Sequence, residues 1–161
     1  MGGEAAEADA ASAALALLEG ARAARSDPET SETAVLAALA LAPDDLDVRI
    51  GAYKFYFYNS RLREALPHAA WTIAHAARAL GLPEDWRKVE PGAAAFDTLD
   101  EGPRLFLQSL LAWGWCKARL GDLAEGIEAM TRVARLDPHD RFGAARLAEV
   151  VRREGRDDAD D

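Results

Sequence analysis

Residues 110–138 read LLAWGWCKARLGDLAEGIEAMTRVARLDP, and the punctuation of this stretch decides the fold. Gly121-Asp122 divides it into two arms. Asp137-Pro138 stops the second, because proline lacks the amide donor and disfavours helix for the residue before it. Each arm carries apolar residues at helical spacing: Leu110 and Trp113 on the first, Leu123, Met130 and Val133 on the second. A turn this short forces the two helices antiparallel. Gly114 and Gly126 fall where the helices must cross, and the lack of a β-carbon lets the backbones approach. The spacing predicts helices over 103–120 and 123–136, with a last helix over about 140–154.

Toward the N-terminus the same rhythm recurs. A helix is expected over 7–25, stopped by Ser26-Asp27-Pro28. Thr30 or Ser31 is positioned to cap a second helix running to Leu41. A third covers 46–58, with Asn59-Ser60 as the turn. A fourth covers 62–80 and ends at Gly81-Leu82-Pro83, glycine suiting a helix C-terminus and proline following it. Pro67 belongs in a first turn, so the regular part of the fourth helix is expected to begin after Leu62. Residues 84–102 break the rhythm, with Pro91-Gly92 inside and only Trp86, Val89, Phe96 and Leu99 as large apolar groups. A helical turn over 83–89 would shorten this connection. Its length predicts a flap folded over a binding face and anchored by Trp86 or Phe96.

Composition agrees with an all-α fold. Half of the 161 residues are hydrophobic, and much of that half is alanine, the strongest helix former. The formal charge of −9 repels phosphate backbones and argues against nucleic acid as a partner. No run approaches the roughly 18–20 apolar residues of a membrane span. The acidic start does not suit a signal peptide, so a cytoplasmic location without membrane contact is expected. Residues 1–8 and the acidic 155–161 are expected to be disordered.

The stretch 110–138 resembles a tetratricopeptide repeat. Leu110, Trp113-Gly114, Gly126, Met130 and Pro138 fill that family's large, large-glycine, small, large and proline offsets. Two weaker likenesses precede it. In one, Ala52, Tyr56 and Ala65 fit, but Tyr53 and Ala69 depart from the pattern. In the other, Gly20 and Leu36 are landmarks and Glu32 stands at a small-residue offset. The resemblance implies a solenoid of three antiparallel helix pairs, over about 9–43, 46–81 and 103–138, within a domain 9–154 closed by a polar capping helix.

That fold implies peptide or protein binding by the first helix of each pair. The groove offsets are Ile50, Lys54, Phe57 and Tyr58 on one helix, and Gln108, Leu111, Trp115 and Arg119 on another, with Arg25 as a further contributor. Trp, Tyr and Arg dominate interface energetics. The family's clamp for acidic chaperone tails is not formed, since Leu17 and Ala21 occupy its first-pair positions.

Catalytic, metal and cofactor residues are not expected. His68 and His75 would lie about 10 Å apart along one helix, too far for shared zinc ligation. Cys116 stands alone and reads as a small core residue. The expected function is an adaptor or co-chaperone that binds another protein. Two alternatives stay open: a dedicated chaperone like the acidic three-repeat secretion chaperones, or a self-assembling subunit such as a homodimer.

Overall fold

The computed structural model describes residues 2–23 and 26–160, with side chains at 3–23 and 26–157. Arg25 lies outside the described residues. Among them the chain is all-helical, with no strand. Seven α-helices are present: α1 (Gly2–Ala23), α2 (Pro28–Leu41), α3 (Leu46–Tyr58), α4 (Leu62–Leu80), α5 (Glu101–Arg119), α6 (Leu123–Leu136) and α7 (Ala144–Asp160). A single 3₁₀ turn, Trp86–Lys88, interrupts the long connection before α5. No helix is long and apolar enough to cross a membrane among the described residues.

The chain divides into two compact units, Met1–Arg61 and Leu62–Asp161. The boundary falls inside the helix pair expected over 46–81: α3 belongs with α1 and α2, and α4 with α5.

In the first unit, Asp27 caps α2 by accepting from the Thr30 amide at 3.3 Å and the Thr30 hydroxyl at 2.7 Å. Pro28 takes the first helical position, where its missing N–H is no loss. The cap is thus Asp27 rather than Thr30 or Ser31. Ser31 is buried instead and donates to the Ala21 carbonyl at 2.9 Å, tying α2 to the end of α1. Asp45 caps α3 through the Val48 amide at 3.1 Å.

Glu32, the misfit in the repeat pattern, has a local reason to be there. It accepts from Arg61 and from the Tyr56 hydroxyl, while the Arg61 guanidinium stacks over the Tyr56 ring at 5.0 Å. The bond from Arg61 holds the Glu32 carboxyl below its ordinary value of 4.5, against a smaller opposing effect of burial. A group with a lowered folded-state pKa stabilises above its unfolded value, and that contribution is lost as pH falls through the folded one. Acid titration should therefore show a stability loss of the first unit below about pH 4.5 that is smaller in Glu32→Gln, where only other carboxylates such as Asp27 still contribute. Parallel acid profiles for wild type and variant would refute the coupling.

The second unit has the larger core. Ile73, Ala76 and Ala77 of α4, Phe106, Leu107 and Leu110 of α5, and Val133 and Leu136 of α6 are buried together. Pro67 sits inside α4, which nonetheless runs unbroken from Leu62. Pro67 and Arg63 are both exposed, so water can solvate the carbonyl that loses its donor. Gly81, at φ +69, closes α4: its amide bonds Arg78 O and that of Leu82 bonds Ala77 O. Gly102-Pro103 does not precede α5 but forms its first turn, where amide donors are unsatisfied anyway.

The connection 81–100 packs down as a strap. Trp86, Val89 and Phe96 all enter the core, with Trp86 edge-on to Trp113 at 5.8 Å and Phe96 against Phe106 at 6.0 Å. Arg132 donates to Val89 O at 3.1 Å, and Arg141 to Thr98 O at 2.7 Å and Asp97 O at 3.0 Å. Both expected anchors are used.

Both chain ends depart from expectation. Helix α1 already begins at Gly2, within the stretch expected to be disordered, and α7 continues to Asp160 through the acidic tail. Helix α7 also starts later than residue 140. Asp140 and Gly143 both adopt positive φ, 49° and 61°, which a helix cannot accommodate. Asp137 accepts the Phe142 amide at 3.2 Å and so holds this turn.

Candidate protein-binding faces

The two sets of groove residues lie in different units, and each is taken by itself. On α3, Ile50, Lys54 and Phe57 are half-buried, while Tyr58 is 75% exposed. The rings of Phe57 and Tyr58 meet edge to face at 5.5 Å. The aromatic run 53–58 divides as helical geometry requires: Tyr53 and Tyr56 turn inward, and Tyr58 outward. Burial pushes the Tyr53 hydroxyl up to about 12.

On α5, each residue turns about 100° around the axis. Phe106, Leu110 and Trp113 therefore share one side, and Gln108, Leu111, Trp115 and Arg119 the opposite one. The strap packs on the Phe106–Trp113 side. This corrects the expected flap: it does not cover the α5 side that carries the groove residues. Helix α7 reaches that side instead. Leu111 and Trp115 pack against a cluster of Met130, Ala148 and Val151, joined by Leu147. Arg119 stacks over the Trp115 ring at 4.4 Å and pairs with Glu154 at 2.8 Å. Gln108 stays half-buried and Arg119 exposed.

Two features, one on each side of α5, escaped the sequence reading. Glu154 looked like one more solvated charge of a polar helix, yet it meets Arg119 from 35 residues away. Arg87 and Lys117 also find aromatic partners, Arg87 over Trp86 at 4.2 Å and Lys117 over Trp113 at 5.3 Å. Glu125 lies within ion-pair reach of both cations. The unusual density of Trp beside Arg or Lys in the sequence was the available signal.

Among the described residues, no group of three or more His, Cys, Asp or Glu is arranged to hold a metal ion. His75 stacks flat on Trp71 at 5.1 Å, and the His68 carbonyl accepts from the Thr72 hydroxyl. Cys116 is fully buried, and burial raises its thiol to about 11. The thiolate is the reactive form, so native Cys116 should resist a thiol reagent at pH 8 and label only on unfolding. Stoichiometric labelling of the native chain within minutes would contradict its burial.

No family model matches the chain, and no solved structure matches it. A curated protein of Azotobacter chroococcum mcd 1, described as an uncharacterized 19.8 kDa protein in the nifW 5' region, is 36% identical over 118 residues. The matched region covers 72% of this chain and 66% of the relative, so the chain spans just under two thirds of that relative's length.

Proposed function

We propose that this chain is a protein-binding module, an adaptor or co-chaperone of tetratricopeptide-like build, which holds a segment of another protein and performs no chemistry of its own. The observation that carries this reading is the Trp115–Arg119 pair on α5. It is an aromatic ring and a cation stacked at 4.4 Å beside Leu111 on one helix face. Trp and Arg are the residue types most often responsible for interface energy, and stacking fixes the guanidinium in advance of binding. The exposed Tyr58 on α3 supplies a second aromatic contact in the other unit.

The repeat resemblance supports the same reading, as do Gly114 and Gly126 at the α5–α6 crossing. The net charge of −9 favours a partner with a basic patch. Because the A. chroococcum relative is placed 5' of nifW, proteins encoded beside nifW are the first partners to test.

The test is photo-crosslinking in the source cell from positions 58 and 108, followed by capture with Trp115→Ala/Arg119→Ala. The double variant should recover the cross-linked partner at least about tenfold less efficiently, with helicity unchanged. Equal recovery by wild type and variant discards the α5 face. No cross-linked protein from either position discards the binding reading.

A further inference from the structure

The α5 face already has an occupant within the same chain. Leu147, Ala148 and Val151 of α7 lie in the cluster that contains Leu111 and Trp115, and the Glu154 carboxylate takes Arg119. The buried side chains with which α7 holds on are small: Ala144 in the main core, and Ala148 and Val151 beside Met130, with Leu147 half-buried. The Arg119–Glu154 pair is 38% and 47% exposed, so water and salt screen it. A short tether, residues 137–143, keeps α7 at a high effective concentration over the face, on the order of millimolar. A weak contact then suffices to fill the site until a stronger competitor arrives.

The geometry points to α7 as a displaceable, built-in occupant of the binding face, and to the partner as an amphipathic helix bearing the same signature. This inference rests on the α5 reading above and adds the chemistry of what binds. The signature is an aliphatic residue with alanine next to it, as in Leu147-Ala148, then an aliphatic residue three positions on at Val151. A carboxylate follows three further on, at Glu154. The next position favours a small residue. A β-carbon at Gly155 would come within 2.4 Å of the Leu123 side chain, so a larger residue is admitted only if Leu123 swings away.

The probe is a fluorescently labelled peptide of residues 144–157, titrated into full-length protein and followed by anisotropy. Wild type should bind it weakly, because its own α7 competes. Val151→Asp puts a carboxylate into the apolar seat and releases α7 without touching α5. That chain should bind the peptide at least about tenfold more tightly than wild type. Adding Arg119→Glu should abolish the gain, and a peptide carrying Glu154→Arg should restore it. If Val151→Asp keeps its near-ultraviolet dichroism but binds no better than wild type, the inference is overturned.

Should Val151→Asp fail to fold, the surface variant Glu154→Arg serves with amide hydrogen exchange. Faster exchange confined to α7 supports release, and unchanged exchange refutes it. The two readings fail separately. A cellular partner captured equally by wild type and Val151→Asp rejects gating by α7 alone. Peptide binding without any cellular partner rejects the proposed function and leaves the α7 contact standing.

Discussion

Gly126→Ala should lower the stability of the second unit by about 3 kcal/mol, although it replaces glycine with the best helix former in the middle of α6. A β-carbon there would lie 2.5 Å from the Gly114 carbonyl oxygen and 2.6 Å from the Ala118 amide nitrogen. Both neighbours are backbone atoms of α5 and cannot rotate aside, so the helices would have to separate along their whole crossing. The gain in helix propensity, about 1 kcal/mol, offsets only part of this loss. Gly20→Ala is the control with opposite sign. It lies inside α1 with nothing within 4 Å of its would-be β-carbon, and should gain about 0.5–1 kcal/mol. Urea unfolding of the two variants checks both signs. A Gly126→Ala protein as stable as wild type would mean that α5 and α6 do not cross this closely.

Phe96→Ala should cost the same unit about 3–4 kcal/mol and free the second half of the strap. The ring is 3% exposed and packs on Phe106, which is itself fully buried at the centre of the core. Without it, Trp86 and Val89 still anchor the first half of the strap in the core, while the half from 91 to 100 is held by Arg141 donating to the Thr98 and Asp97 carbonyls, each bond contributing about 1 kcal/mol. Limited subtilisin digestion should then cut the variant within 91–100 well before the rest of the chain. Leu99→Ala, in the same segment but 66% exposed, should leave both stability and cleavage unchanged. Cleavage of Phe96→Ala at the wild-type rate would remove Phe96 as the anchor.

The size of these effects reflects how the two glycines and the strap aromatics are used. Gly114 and Gly126 were legible in the sequence through the repeat resemblance, whose offsets they fill and whose packing calls for a small side chain there. The anchoring of the strap was half legible. Isolated large apolar residues in a polar connection must be buried somewhere, but nothing nearby says where. Trp86 went to Trp113 and Phe96 to Phe106, on the side of α5 away from the groove residues.

The sequence by itself determined the all-helical class, the spans of α3 and α6, the glycine stop at Gly81 and the inward turn of Tyr53 and Tyr56. Each of these rests on an interaction within about one helical turn: a cap, a breaker, or the 3.6-residue period. Tertiary structure alone decided that α3 and α4 fall into separate units, that Glu32 serves Arg61 and Tyr56, and that α7 fills the face carrying Trp115 and Arg119. The polar partners in those outcomes lie 24 to 35 residues away. Residue type shows that such a side chain needs a partner, but only the packing of whole helices brings a particular one within reach.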